Sequence, residues 1–223
     1  MGTLSVVATP IGNMEDITLR ALRTLKEADV IYAEDTRVIS KLLAKYEIKK
    51  PLARLDAVTE TKKADEVIGR LQEGERLAFV SDAGTPGISD PGARLVAAVR
   101  AKYPEAVIEA IPGASALTAA LSIAGLASGE FLFLGFLPHK KGRQTALRKI
   151  KESELPVVVY ESPHRIQKLL AELGELEIRR ITIARELTKM HEEMLSGSPA
   201  ELLEHFTAHA DTVRGEFVAI IEA

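Results

Sequence analysis

The sequence of 223 residues contains no cysteine and no tryptophan, and it has no long apolar run. Without cysteine, the chain can form no disulfide, no thiol nucleophile, and no thiolate ligand for zinc or an iron–sulfur cluster. No stretch reaches the ~18 apolar residues that a membrane-spanning helix needs. The N-terminus also lacks the basic start and apolar middle of a signal peptide. We therefore expect a soluble cytoplasmic protein that does not act at a membrane.

Positive charge is unevenly spread along the chain. The formal net charge is −3, yet residues 139–151, HKKGRQTALRKIK, hold six Lys or Arg and no Asp or Glu, which leaves −9 for the rest. Such a block can bind phosphates, and Lys140, Lys141 and Arg143 are its candidate contacts to nucleic acid. A solvated helix face is the alternative interpretation of the same run.

Short β-branched runs alternate with helical patterns along the whole chain, which predicts an α/β fold with largely parallel sheets. The predicted strands are residues 4–8, 30–33, 77–80, 107–110, 131–135, 157–160, 181–184 and 217–221. The predicted helices are residues 18–28, 38–46, 64–73, 93–102, 116–124, 144–152, 166–173 and 199–208. Before the last helix, Ser198-Pro199-Ala200-Glu201 has the pattern of a capping box. The proline and glycine after Ile111 interrupt an apolar strand, so we expect two α/β domains, 1–112 and 113–223.

Three loops that follow predicted strands are rich in glycine and proline. They are residues 8–13 (ATPIGN), 81–92 (SDAGTPGISDPG) and 112–116 (PGASA). Ligands of open α/β sheets bind beyond the carboxyl ends of the strands, and rigid loops with exposed amides suit a ligand held by main-chain hydrogen bonds. Tight turns are the alternative reading of each loop. Walker, G-x-G-x-x-G, G-x-S-x-G and H-E-x-x-H patterns are absent, and no metal site is predicted.

Several strings along the chain together resemble one family. They are VATPIGNMEDITLRALRTLKEADVIYAEDTR, SDAGTPGISDPG, PGASALTAAL, GFLP, YESPHR and ARELTK, and they resemble the ribosomal RNA small subunit methyltransferase I family. The resemblance implies the tetrapyrrole-methylase fold, with two α/β domains, S-adenosyl-L-methionine in the cleft between them, and a homodimer. It also implies methyl transfer to the ribose 2′-hydroxyl of a cytidine in small-subunit (16S) ribosomal RNA, free or in the 30S subunit.

The resemblance also assigns the cofactor-binding residues. They are Pro10, Gly12, Asp82, Ala83, Gly84, Ile88, Ser115, Ala116 and Leu134. Asp82 has a physical reason as well, because a carboxylate can accept hydrogen bonds from a ligand ammonium or ribose group. The alternative role for Asp82 is a cap for the turn that follows it.

Methyl transfer to a ribose hydroxyl requires alignment of the reactants and removal of a proton. The catalytic candidates follow the second and seventh predicted strands, and they are Glu34, Asp35, Arg37, Glu186 and Lys189. Glu34 or Asp35 can accept the proton, while Arg37 and Lys189 can hold a phosphate beside the target ribose. An Asp–Arg turn network without chemistry is the alternative. Arg165 is a candidate contact to RNA or to the other subunit, or a salt bridge at a helix start.

One segment departs from the family pattern. Members carry a segment with histidine and asparagine after the third strand, whereas residues 54–61 read RLDAVTET. This departure weakens the expectation that the substrate is ribosomal RNA more than the expectation of methyl transfer. Two other functions therefore stay open, a methyltransferase of the same fold that acts on a small molecule such as a tetrapyrrole, and a non-catalytic protein that binds the cofactor or the ribosome.

Overall fold

A computed structural model describes residues 1–126 and 128–222. The chain divides into two compact units between Ser115 and Ala116, three residues after the domain boundary expected from the sequence. Ala127 and Ala223, which the predicted second domain includes, lie outside the described residues. Within the described ranges, the helices are too short or too polar to cross a bilayer.

The first unit is a parallel sheet with helices on both faces. Its elements are β1 (Thr3–Val7), α1 (Leu19–Glu27), β2 (Val30–Ala33), α2 (Thr36–Lys45), β3 (Leu52–Arg54), α3 (Glu60–Gln72), β4 (Arg76–Val80), α4 (Ala93–Lys102) and β5 (Val107–Ile111). The strand order is β3-β2-β4-β1-β5, and each described pairing is parallel. The carboxyl ends of the strands therefore lie along one edge, as ligand-binding α/β sheets require.

Alternate residues of each strand supply two separate cores. Ile31 packs with α1 and α2 on one face, whereas Tyr32 packs with α3 and α4 on the other. Side chains of a strand alternate between the two faces of its sheet, so a central strand covered by helices on both faces must be apolar throughout. Each residue of β2 is buried, which explains why this strand reads as a continuous apolar run.

The second unit has a mixed sheet. Its elements are α5 (Ala116–Ile123), β6 (Leu132–Phe136), α6 (Arg143–Lys151), β7 (Val157–Glu161), α7 (Ile166–Glu175), β8 (Arg180–Arg185), β9 (Glu193–Gly197), α8 (Pro199–Ala208) and β10 (Phe217–Glu222). The strand order is β6-β7-β10-β8-β9. β6 and β7 pair in parallel, whereas the β7–β10, β10–β8 and β8–β9 pairings are antiparallel. The expectation of a largely parallel sheet is therefore wrong for this unit. The connection from β8 to β9 is too short for a helical crossover.

The predicted strands and helices are confirmed, and two short strands were not predicted. β3 has three residues and β9 is an edge strand with glutamate, serine and glycine in it, so neither has the apolar run or alternation that identifies a strand. The predicted capping box is confirmed, since Ser198 and Glu201 exchange hydrogen bonds with each other's backbone. α3 begins at Glu60, four residues before the predicted start.

Candidate active site

The three glycine-rich loops meet at the carboxyl edge of the first sheet. Thr9 in the loop after β1 pairs with Gly84 in the loop after β4, with N–H to carbonyl distances of 2.9 Å and 3.0 Å in the two directions. The loop after β5 joins them through the Thr85 hydroxyl, which donates to the carbonyl of Ala114 at 3.1 Å. The loops therefore form one continuous surface of backbone at the edge where such sheets bind ligands.

Close packing between these loops requires glycine at two positions. Gly84 has φ +73°, and a Cβ added there would lie 3.3 Å from Cγ2 of Ile11. A Cβ added to Gly113 would lie 3.0 Å from the Cβ of Ala8. The tight-turn interpretation thus describes these glycines correctly, and the same absence of side chains leaves the backbone of the loops open to a ligand.

A carboxylate connects a fourth loop to this surface. The Asp82 Oδ1 accepts a hydrogen bond from the N–H of Asp35, which follows β2, at 2.9 Å. Asp82 itself is exposed. The bond brings the predicted cofactor loop and the predicted catalytic residues 34–37 together on adjacent strands, β4 and β2.

Asp35 is committed to the start of α2. Its carboxylate is the N-cap and accepts from the N–H of Arg37 at 2.8 Å, and it also pairs with the Arg37 guanidinium. The hydrogen bonds from Arg37 lower the pKa of Asp35 to about 2. A carboxyl with so low a pKa is a weak proton acceptor near neutral pH, so the structural role that the sequence left open accounts for Asp35.

Glu34 has the opposite environment. Partial burial raises the pKa of Glu34, and the negative charge of Asp82 raises it further, while a hydrogen bond from the backbone of Asp82 opposes the shift. Because a base works best when its pKa approaches the working pH, Glu34 is the better proton acceptor of the two neighbouring carboxylates. Within residues 1–126 and 128–222, no group of three His, Cys, Asp or Glu side chains is close enough to hold a metal ion.

The loop surface also fits the polar cofactor that the family resemblance implies. The hydroxyl oxygen of Thr9 is buried and has no hydrogen-bond partner in the described part of the chain. Together with the Asp82 carboxylate and the glycine-containing backbone, it provides donors and acceptors for an amino acid or ribose group. Other predicted cofactor residues of this unit lie on the same loops, and they are Pro10, Gly12, Ala83, Ile88 and Ser115.

Glu60 is a further residue of this region that the sequence did not reveal. Its side chain is buried, and its Oε1 accepts from the N–H groups of Gly92 and Leu95 at 2.8 Å and 2.9 Å. Gly92 ends the loop after β4 and has φ +122°, and a Cβ there would lie 2.6 Å from the Phe79 ring. Glu60, the first residue of α3, thus holds the end of the glycine-rich loop and the first turn of α4 against α3. It belongs to the segment 54–61 that departs from the family pattern.

In the second unit, Glu186 and Lys189 are bound to each other. The Lys189 Nζ donates to Glu186 Oε1 at 2.7 Å and to Glu216 Oε2 at 3.0 Å. Burial by itself would lower the pKa of Lys189, but the hydrogen bonds and charges of the two carboxylates outweigh it and raise the pKa. The Lys189 ammonium therefore neutralises two carboxylates. These internal ion pairs compete with the phosphate contact predicted for Lys189.

Of the two arginines predicted to bind nucleic acid, Arg143 is buried and Arg165 is half-buried. Arg143 is 4% exposed, forms a bidentate pair with Glu172 and donates to the carbonyl of Pro138. Arg165 lies 2.7 Å from the buried Glu161 and donates to the carbonyl of Leu137 at 2.9 Å. The burial of Arg143 argues against a phosphate contact there, whereas Arg165 makes the salt bridge at a helix start that the sequence left open as its alternative. Both guanidinium groups hold the loop after β6.

The remaining predicted residues of the second unit lie in different settings. Lys140 and Lys141 are exposed on the loop that the two arginines hold, and Ala116 begins α5. Leu134 interrupts the pairing of β6 with β7, because the register shifts between Phe133 and Gly135. A bulge of this kind re-aims side chains and frees backbone groups from the ladder, which is consistent with a backbone contact to a ligand.

Comparison with known proteins identifies the family. Residues 3–203 match the family model of the Tetrapyrrole (Corrin/Porphyrin) Methylases. The chain is 46% identical to the Ribosomal RNA small subunit methyltransferase I of Neisseria meningitidis serogroup B, over 99% of this chain and 76% of that protein. It is also 46% identical to the protein of the same name from Thermotoga maritima, over 92% of both chains.

Solved structures support the same fold. The crystal structure of the methyltransferase CobJ matches with a TM-score of 0.71 and 21% sequence identity, over 99% of this chain and 94% of that chain. At this identity the match concerns the fold alone. The matched family model and the curated relatives show that the chain belongs to the tetrapyrrole methylase family and, within it, to the ribosomal RNA small subunit methyltransferase I family.

Proposed function

We propose that this protein methylates the ribose 2′-hydroxyl of a cytidine in small-subunit (16S) ribosomal RNA, with S-adenosyl-L-methionine as methyl donor. The observation that carries the proposal is the 46% identity, over 99% of this chain, with a Ribosomal RNA small subunit methyltransferase I. The loop surface of the first unit supports it, since the residues of that surface suit a polar cofactor and a nearby proton acceptor.

The first unit supplies the cofactor loops. Asp82 and the buried hydroxyl of Thr9 would hold polar groups of S-adenosyl-L-methionine, and the backbone around Gly84 would approach it closely. When bound, the cofactor supplies a methyl group on a sulfonium, so the protein itself needs no nucleophile. Glu60 fixes the end of the longest of these loops, which makes it a positioning residue for the cofactor.

Glu34 would accept the proton of the ribose hydroxyl. A ribose hydroxyl is a weak acid, so a base beside it assists transfer of the methyl group. Burial and the charge of Asp82 raise the pKa of Glu34, whereas the pairing with Arg37 lowers the pKa of Asp35. Glu34 is therefore the base in this proposal, Asp35 positions the start of α2, and the exposed Arg37 guanidinium faces the phosphate of the substrate.

Lys140 and Lys141 are the proposed phosphate contacts of the second unit. Both are exposed, and both follow the carbonyls of Leu137 and Pro138 that Arg165 and Arg143 hold in place. In this proposal the two arginines position the loop and the lysines bind the RNA. We further propose that the chain acts in the cytoplasm on the 30S subunit or its RNA.

A homodimer is also part of the proposal. Large apolar side chains of the second unit are exposed, with Ile123 at 52%, Phe131 at 39% and Phe136 at 53%. A second copy of the chain that covered them would remove this apolar surface from water. Sedimentation equilibrium tests this part, with a dimer mass expected. A monomer at micromolar concentration would contradict it.

Transfer of labelled methyl groups tests the activity. Wild-type protein and labelled S-adenosyl-L-methionine are incubated in parallel with 30S subunits, protein-free 16S ribosomal RNA and a tetrapyrrole acceptor. We expect label in the RNA of the first or second sample. Label in the tetrapyrrole alone would favour the small-molecule function, whereas cofactor binding by calorimetry without transfer to any sample would favour a non-catalytic protein.

A further inference from the structure

The exposed side of α2 carries a row of positive charges that the motif analysis did not reveal. Helix α2 (Thr36–Lys45) contains Arg37, Lys41 and Lys45 and no acidic residue. All three cations are exposed. Their spacing of four residues puts them on one side of the helix, because residues i and i+4 are neighbours on the surface. We call these three residues the α2 ridge.

The opposite side of α2 is packed into the core, which fixes the orientation of the α2 ridge toward solvent. Ile39, Leu42 and Leu43 are buried and belong to the core that packs against the first sheet. Each step of four residues rises about 6 Å along a helix, so the ridge is about 12 Å long. A rigid row of charges suits an extended anion better than a small one.

The ridge begins at the candidate active site. Arg37 stands two residues after Asp35, whose N–H binds Asp82. Near the other end of the helix, Lys49 and Lys50 line an open groove of about 730 Å³ together with Ser40 and the oppositely charged Glu47. The charge of the ridge therefore extends from the proposed proton acceptor, along α2, toward a second pair of lysines.

The lysines of the ridge have no carboxylate partner in the described ranges 1–126 and 128–222. No carboxylate oxygen there lies within 4.0 Å of the ammonium of Lys41 or Lys45. The Lys45 Nζ lies over the Tyr46 ring, 5.8 Å from its centroid. Lys102, by contrast, pairs with Asp65 at 2.6 Å. Arg37 pairs with Asp35 through Nε and Nη2. Its side chain is nevertheless 87% exposed, and a guanidinium has five N–H donors, so it can bind a second anion while it keeps Asp35.

We propose that the α2 ridge binds the phosphate backbone of the RNA that carries the target ribose. The inference rests on the proposed function, and it adds a contact surface in the first unit. RNA is the partner that these observations favour, because a linear row of exposed cations that starts at the candidate active site complements a chain of phosphates. An acidic protein of the 30S subunit is the alternative partner, and the test must distinguish it from RNA.

The salt dependence of RNA binding tests the proposal. The slope of log affinity against log salt is negative, and each lost phosphate contact reduces its magnitude by roughly 0.7 to 0.9. For the double variant Lys41→Gln/Lys45→Gln, we expect the magnitude of the slope for protein-free 16S ribosomal RNA to fall by roughly 1.4 to 1.8. S-adenosyl-L-methionine affinity and thermal stability should stay at the wild-type values, because neither lysine lies on the cofactor loops.

A matched control carries the same loss of charge on the other face of the sheet. Arg100 and Lys102 are exposed on α4, which packs against the other core of the first unit. In Arg100→Gln/Lys102→Gln the slope should remain within about 0.3 of wild type. If the magnitude of the slope fell equally in the control, the effect would come from net charge alone, and the proposed role of the α2 ridge would be overturned.

The remaining outcomes separate the inference from the proposed function. A wild-type slope in the ridge variant, with wild-type methyl transfer intact, would overturn the ridge and leave the function standing. Weaker binding to 30S subunits with unchanged binding to protein-free RNA would assign the ridge to a ribosomal protein and also overturn the proposal. Failure of the wild-type protein to transfer methyl groups to RNA would instead contradict the proposed function itself.

Discussion

The two units use their charged residues in opposite ways. In the first unit, Asp82 and Arg37 are exposed at the carboxyl edge of the sheet, and Glu34 is half-buried beside them. In the second unit, Arg143 is buried and Arg165 half-buried, and both bind a carboxylate and a backbone carbonyl. A charged residue inside a motif is therefore available to a substrate only if its neighbours leave it exposed. In the proposed function, the first unit therefore carries the chemistry and the two arginines of the second unit position a loop.

Of the substitutions that test this difference between the units, replacement of the proposed base should have the largest effect, which is on the rate of methyl transfer. We expect Glu34→Gln to lower the methyl-transfer rate by about 100-fold or more, the usual contribution of general base catalysis. Asp35→Asn, the matched control on the neighbouring residue, should lower the rate less because Asp35 is already paired with Arg37. Single-turnover kinetics with saturating S-adenosyl-L-methionine measures both rates.

The pH profile distinguishes a base from a merely structural glutamate. The pKa of Glu34 is raised, and only its ionised form accepts a proton. The wild-type rate should therefore fall as the pH drops through this raised pKa, above the range of an ordinary carboxyl, and this dependence should be absent in Glu34→Gln. A wild-type rate in Glu34→Gln, or a larger loss in Asp35→Asn, would contradict the assignment.

Breaking the buried pair of the second unit should cost stability. Arg143→Gln leaves the Glu172 carboxylate without its partner, and removal of one member of a buried ion pair typically costs about 3–5 kcal/mol. Chemical denaturation measures the change. The exposed Lys140→Gln is the control, with an expected change of about 0.5 kcal/mol or less.

The same pair offers a second check on its structural role. In Arg143→Met/Glu172→Leu both charges are removed together, so much of the lost stability should return. The slope of RNA binding against salt should stay unchanged in this double variant. A reduced slope with normal stability would show that Arg143 binds phosphate after all.

Loss of the Glu60 anchor should have an intermediate effect in the first unit. Glu60→Ala leaves the buried N–H groups of Gly92 and Leu95 unpaired, at about 1–3 kcal/mol for each such group. We expect lower stability and S-adenosyl-L-methionine binding weakened by about 10-fold, which corresponds to about 1.4 kcal/mol.

The conservative variant separates positioning from charge. In Glu60→Gln the amide oxygen can still accept both hydrogen bonds, so binding measured by calorimetry should return to near the wild-type affinity. If the folded Glu60→Ala protein bound the cofactor as tightly as wild type, Glu60 would have no positioning role.

The smallest expected effect concerns Asp35 and acid. Its folded-state pKa is lowered to about 2 from an ordinary value near 3.8. Its contribution to stability is therefore present above pH 3.8 and is lost as the pH falls through about 2. Thermal unfolding of wild type and Asp35→Asn should differ slightly at neutral pH and converge toward pH 2. A difference that stays constant with pH would contradict an ionised cap.

Much of the fold follows from local pattern. Apolar strands such as residues 77–80 and the capping box at Ser198 are signals within a few residues, and the structure confirms them. The antiparallel pairings of β10 were not predictable in the same way, because the order of strands depends on contacts between distant segments. The apolar run of β10 is equally compatible with a parallel or an antiparallel neighbour.

The candidate site was predictable in its loops and less so in its side chains. Glycine and proline mark the turn after β4 in the sequence, and the structure brings that turn to the other two loops. The burial of Arg143 depends on Glu172, 29 residues away, and the anchor at Glu60 binds an N–H 32 residues away. Such partners leave no local signal, so a basic run looks the same whether its arginine is exposed or buried.

Identification of the methylated nucleoside tests the central claim most directly. Small-subunit ribosomal RNA that has been incubated with the protein and S-adenosyl-L-methionine is digested to nucleosides and analysed by mass spectrometry. The account predicts one added methyl group on the ribose of a cytidine with wild-type protein, and a strong reduction with Glu34→Gln. A methyl group on a base, or unmodified RNA, would contradict it.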